Sequence, residues 1–89
     1  MEKTPSPQEQ YLKYRQLFTE MSDEEILNCF NQQVGNRGWT SSRASYLAAL
    51  HAEFNQRHWD YSEIGDKKAI SLRHQIYLNG KRISVFSGN

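Results

Sequence analysis

Gly35-Asn36-Arg37-Gly38-Trp39-Thr40 runs directly into the stretch from Ser42 to His58, where Leu47, Leu50, Phe54 and His58 recur at steps of three and four. Ala44, Ala48 and Ala49 keep the flanks of that row slim. This period describes one face of an α-helix. At 1.5 Å per residue the helix is about 25 Å long, most of the breadth of a domain of this size. The other elements must therefore pack against it. Trp39, next to a flexible glycine at the helix entrance, is expected to fold back as a core plug. Thr40, Ser41 and Ser42 are all competent to cap the helix.

Upstream, Tyr11, Tyr14, Phe18 and Met21 recur at helical spacing with Leu17 beside them, which predicts a helix over 8–21, with Pro7 suited to its first turn. Ser22 and Glu25 form a capping box for a second helix over 23–34. Asp23 and Glu24 complement its positive end, and Met21 is placed to staple Ile26. Ile26, Leu27, Phe30 and Val34 are its buried stripe, and Gly35 is its left-handed stop. Downstream of the third helix (42–58), Trp59 to Gly65 loses the helical period and reads as a compact turn with Trp59, Tyr61 and Ile64 tucked inward. The last segment changes to period two. Ile76, Leu78, Ile83 and Val85 alternate about Asn79-Gly80, a strong hairpin signal over 73–86. A lone hairpin is not stable in water, so these four must lie on the helices. The expectation is an α+β domain of three helices followed by a packed hairpin. Its core contains Leu17, Phe18, Ile26, Phe30, Trp39, Leu47, Leu50, Phe54, Ile76 and Ile83.

The 89 residues suffice for one domain with a modest core, ordered over about 8–86, and leave little room for an enclosed cofactor. A single cysteine, Cys29, cannot form an internal disulfide. Together with the lack of an apolar span or signal core, this points to a cytoplasmic protein. The net charge of +1 hides an asymmetry: residues 1–34 carry a net −3 and residues 35–89 a net +4. Either the two halves neutralise each other in the fold, or the second offers a basic face to an anionic partner.

The chemical motifs are sparse. His51 and His58 are seven residues apart, about 10.5 Å along a helix, too far for one ion, and neither His74 nor Cys29 completes a metal signature. No metal or cofactor is expected. Cys29 reads as a small apolar filler. Asp60, Glu63 and Asp66 include carboxylates three apart that suit acid–base work only if their environments separate their pKa values, and no nucleophile accompanies them. Gly35-x-x-Gly38 lacks the lysine and spacing of a phosphate loop. The free amides that follow it, with Arg37 and Arg43, still offer a field for an anion.

Val34-Gly35-Asn36-x-Gly38-Trp39-Thr40-Ser41-Ser42-Arg43, Tyr46-Leu47-x-Ala49-Leu50 and Asp60-Tyr61-Ser62-x-Ile64-Gly65 resemble a set of short uncharacterised bacterial proteins. That resemblance covers most of the chain from residue 10 onward. It implies one domain and no particular activity, cofactor or site.

The resulting expectation is a non-enzymatic binding module for a protein partner, with Tyr46 and Tyr61 as exposed anchors. One alternative is a winged-helix-like nucleic-acid binder. It would present the third helix to a groove and use Arg37, Arg43 and the hairpin-tip residues Lys81 and Arg82 on phosphates. The other is a small enzyme built on Asp60, Glu63 and Asp66.

Overall fold

The computed structural model describes residues 6–35 and 41–86, with residue 41 described by its backbone alone. Three helices, α1 (Pro7–Thr19), α2 (Asp23–Gln33) and α3 (Ser41–Gln56), precede an antiparallel hairpin of β1 (Ile76–Asn79) and β2 (Arg82–Val85). The class is α+β, as the change of sequence period requires.

The entry signals of the first two helices act as written. Ser6 caps α1 through the Glu9 amide, with Pro7 opening the helix. Ser22 and Glu25 close a reciprocal box on α2, each accepting the other's backbone N–H. The Ser22 backbone N–H, with the Ser22 hydroxyl, holds the Glu25 carboxyl below its ordinary pKa. Past the end of α2, Gly35 takes φ +81°, a conformation that costs a side-chain residue about 1–2 kcal/mol. The cap of α3 and the proposed Trp39 plug lie outside the described residues.

The central helix buries two neighbouring rows. Ser45, Ala49 and Glu53 form one, and Leu50 and Phe54, with the half-buried Tyr46, form the other. The small Ser45 and Ala49 let α1 approach closely, and the Ser45 hydroxyl donates to the Pro7 carbonyl. Tyr14, Phe18 and Tyr46 fill the α1–α3 seam. Tyr46 stands edge-on to both rings at 5.1 Å, the geometry favoured by aromatic quadrupoles. Leu47 is only partly buried, and Leu17, expected in the core, is 49% exposed. Tyr14 and Phe18, four residues apart, take the inward row of α1, and Leu17 is turned off that row by its single-residue offset.

The third helix ends two residues before the predicted limit of His58. His58 adopts φ +60°, its N–H bonds the Asn55 carbonyl at 3.1 Å, and the Trp59 N–H reaches back to the Phe54 carbonyl at 3.1 Å. This is a Schellman stop. Its apolar clasp is also present, with the Phe54 and Trp59 rings 5.6 Å apart. His58 therefore leaves the apolar row and is exposed.

Buried charge fastens the helices. Glu53, 2% exposed, accepts from Arg15 at 3.0 Å and from Arg57 Nε at 2.7 Å. Arg57 also donates to Asp23 at the start of α2, to the carbonyl of Phe18 in the last turn of α1 (3.0 Å) and to that of Met21 just past its end (2.6 Å). Burial opposes its charge, but the hydrogen bonds it donates to Glu53 and Asp23 outweigh it and raise the guanidinium pKa. One arginine thus ties α3 to both sides of the α1–α2 turn.

Candidate functional site

The C-terminal segment is positioned by backbone bonds. Asn31 on α2 copies a strand edge: its Nδ2 donates to the Ile76 carbonyl at 3.0 Å and its Oδ1 accepts the Ile76 N–H at 2.8 Å. On the opposite edge, the Ile83 N–H bonds the Asp60 carbonyl and the Asp60 N–H bonds the Lys81 carbonyl, both at 2.8 Å. The hairpin is therefore held from both sides at its backbone and from below by Ile76 and Ile83, both fully or almost fully buried. Leu78 and Val85 share that inner face and are partly buried.

Asn79 pairs with Arg82, so the two-residue turn is Gly80-Lys81 and not Asn79-Gly80. Gly80 has φ +66° and Lys81 has no positive φ, the pattern of a turn that needs glycine only in its first central position. The one-residue shift keeps the four apolar residues on one face. It places Tyr77, Asn79, Arg82 and Ser84 on the other.

On that outer face Tyr77 is 41% exposed and Phe86 50% exposed, with their ring centroids 4.9 Å apart. They are the exposed large aromatic side chains among the described residues. No sequence signal had singled them out, because Tyr77 occupies the polar phase of the alternation and Phe86 ends it.

The predicted anchors lie elsewhere. Tyr61 is buried: its hydroxyl donates to Asn55 Oδ1 at 2.6 Å, so the contact of 3.2 Å with His51 Nε2 is one in which the imidazole donates. The expectation of an exposed Tyr61 is overturned. The same inward turn that buries Trp59 and Ile64 carries Tyr61 with them. Tyr46 is half-buried in the α1–α3 seam; burial and a hydrogen bond with Cys29 push its phenol above the ordinary range.

The basic residues are divided. Arg43 is a cap: its Nη2 donates to the Gln33 carbonyl at 2.8 Å and its Nε to Gln33 Oε1 at 3.1 Å. A cation at the last carbonyls of α2 meets the negative end of that helix. Ser42 and Ser45 are likewise engaged with Tyr14 and Pro7, so these residues of α3 face α1 and not an open groove. Arg37 lies outside the described residues. Lys81 and Arg82 are exposed at the turn, with Arg82 in a 3.3 Å ion pair with Glu63.

The acidic trio is committed to local structure. Asp60 Oδ1 accepts the Ser62 amide at 3.0 Å, and Asp66 Oδ1 accepts those of Lys68 and Ala69 at 2.8 and 3.2 Å. These backbone bonds hold both carboxyls below their ordinary pKa, opposite to what a general acid near neutral pH requires. Among the described residues no group of three His, Cys, Asp or Glu side chains is placed to hold a metal, and no helix is long and apolar enough to cross a membrane.

A cleft of about 490 Å³ lies beside the hairpin, lined by Glu63, Ile64, Ser71, Arg73, His74 and Val85. It exists because the pairing of Asp60 with Arg82 stops after one bridge. From Tyr61 the chain turns away, with the Ile64 N–H bonding the Tyr61 carbonyl at 3.0 Å. The segment returns through Gly65, which bridges Ile70, and through Ser71, whose N–H bonds the Ile64 carbonyl.

Comparison of the chain with family models, curated proteins and solved structures returns no match in any of the three. The functional reading rests on the surface just described.

Proposed function

We propose that the chain is a non-enzymatic cytoplasmic module that binds a protein partner through the outer face of its C-terminal hairpin. The observation that carries this reading is the Tyr77–Phe86 pair: two aromatic rings in contact at a mutual tilt of 51°, each about half exposed, on a strand pair whose backbone is bonded at Ile76 on one edge and at Ile83 on the other. Aromatic residues are enriched at interface centres because they supply large contact area at low entropic cost. Lys81 at the turn supplies a charged rim. A nucleic-acid reading retains Lys81 and Arg82 but loses the exposed start of α3, and Arg43 is already engaged with the α2 carbonyls.

Affinity capture from the source cell tests the proposal, run with and without nuclease on the wild type and on the Tyr77→Ala/Phe86→Ala double variant. The expected result is a protein captured by the wild type in both conditions and lost with the double variant. Partners that vanish with nuclease would favour the nucleic-acid reading. Partners that ignore the double substitution would reject this surface.

A further inference from the structure

Among the described residues, one outward main-chain position on the β2 edge of the hairpin has no backbone partner. The Phe86 N–H bonds the Gln75 carbonyl, while the Ile83 N–H points outward to Asp60. Narrow and wide pairs alternate in an antiparallel ladder, so 75/86, 77/84 and 79/82 exchange bonds, while Ile76, Leu78, Ile83 and Val85 direct their backbone groups away from the partner strand. Asn31 takes both groups of Ile76, and Asp60 takes the N–H of Ile83. Val85 is the next outward position on β2, and it lines the 490 Å³ cleft. That volume is within the range of about 300–1,000 Å³ usual for ligand clefts. The cleft walls are charged unequally. Glu63 is neutralised by Arg82, whereas the Arg73 guanidinium, exposed on the other wall, makes no ion pair among the described residues, and His74 beside it adds ring nitrogens.

We infer that this cleft takes a short, extended, acidic segment of a partner protein, which adds to the β2 edge at Val85 and places a carboxylate on Arg73. The segment continues the line that Asp60 begins and the Tyr61–Ile64 turn abandons. Main-chain bonds at Val85 give the docking, and the fork of Arg73 gives the preference for carboxylate. The inference deepens the protein-partner reading, and it concerns the strand edge and not the aromatic face.

The test is a peptide titration followed by amide NMR shifts of the full chain. The probes are an octapeptide of alternating valine and aspartate, its valine/lysine counterpart, and the acidic peptide with alternate amides N-methylated. The acidic peptide is expected to shift the amides of Val85, Phe86 and Arg73 at least about tenfold more tightly than the lysine peptide. N-methylation should abolish the shifts. Arg73→Glu should reverse the preference, and Arg73→Lys should retain it; an unchanged melting curve confirms that these exposed substitutions leave the fold intact. Equal binding of both charges, indifference to Arg73→Glu, shifts away from Val85, or no shifts would each overturn the inference. A single-stranded oligonucleotide giving the same shifts more tightly would overturn it and reassign the cleft. The Tyr77→Ala/Phe86→Ala variant separates the two proposals: if it loses cellular capture while the wild type fails to bind the peptide, the aromatic face stands and the cleft inference falls.

Discussion

The helical part of the molecule and the segment from Trp59 to Phe86 are held together by different forces. In the first, fully buried Phe18, Ile26, Phe30, Leu50 and Phe54 make a continuous apolar core, and Glu53 with Arg57 fastens three helices from inside it. In the second, only Ile76 and Ile83 are fully or almost fully buried, with Trp59, Tyr61 and Ile64 buried beside them on the same core. Position is set in addition by bonds to the main chain: Asn31 to Ile76, Asp60 to β2, Asp66 to its own turn. Apolar burial tolerates small shifts, whereas a hydrogen bond fixes its partners to tenths of an ångström. The helical part is therefore the support, and the segment with sparse packing can leave aromatic rings and a strand edge exposed without losing its shape.

Removing Arg57 strikes the support hardest. Arg57→Ala leaves Glu53 buried with Arg15 alone and strips partners from the Phe18 and Met21 carbonyls; breaking a buried pair costs about 3–5 kcal/mol. The Asp23 limb adds little, since that carboxylate is more than half exposed. Arg57→Lys is expected to recover only a minor part, because an ammonium cannot span four partners as the planar fork does. Urea unfolding of both variants checks this. A midpoint for Arg57→Ala close to wild type would mean that apolar packing alone carries the helices.

The second region breaks most readily at Gly65. A Cβ there would lie 2.1 Å from the Ala69 carbonyl oxygen and 2.7 Å from the Ile70 Cα, both backbone atoms. Gly65→Ala must open the 65/70 bridge, at a cost of about 3 kcal/mol at most if the turn relaxes. Hydrogen exchange is the informative readout. Protection should fall at Ser71 and Asp66 while the helical amides keep their protection relative to global stability; uniform loss would show that the two regions unfold as one.

What the sequence revealed follows the same division. The starts of α1 and α2, the Ser22 box and the inward face of the hairpin were legible because caps and periods are local signals, whereas the expected ends of α1 and α3 ran two residues too far. Leu17 was misplaced because a period identifies a stripe but not which of two adjacent residues lies at its centre. Arg43 was offered as a surface group because nothing local announces a carbonyl on a neighbouring helix, whereas the inward turn of Trp59, Tyr61 and Ile64 was legible and rules out Tyr61 as an exposed anchor. The Tyr77–Phe86 pair and the Val85 edge were missed because both depend on the hairpin register, which the shift of the turn to Gly80-Lys81 determines.

The boundary between the regions supplies a smaller and opposite effect. His58 sits at φ +60°, a conformation costing a residue with a Cβ about 1–2 kcal/mol, part of which glycine returns through its larger unfolded-state entropy. His58→Gly should stabilise by about 0.5–1 kcal/mol and raise Tm by roughly 3–5 °C. No change would imply that the ring makes a compensating contact on the surface.

The smallest effect is electrostatic and lies wholly within the second region. Asp66 accepts the Lys68 and Ala69 amides, and those backbone bonds, working against slight desolvation, hold its folded pKa below the ordinary value. A carboxyl depressed in the folded state stabilises above its unfolded pKa of about 3.9, and that contribution is lost as pH falls through the lower folded value. Asp66→Ala removes the acceptor altogether and leaves no titrating group at this position. The variant should therefore be less stable than wild type at pH 7, with the difference shrinking below about pH 3.9 as wild-type Asp66 protonates. Thermal melts of both proteins between pH 2.5 and pH 7 (about one-unit steps suffice on the scale of a single carboxyl titration) give the curve. A difference that stays constant across that range would show that the turn is held by the shape of the side chain and not by its charge, and the second region would then resemble the first more closely than its hydrogen bonds suggest.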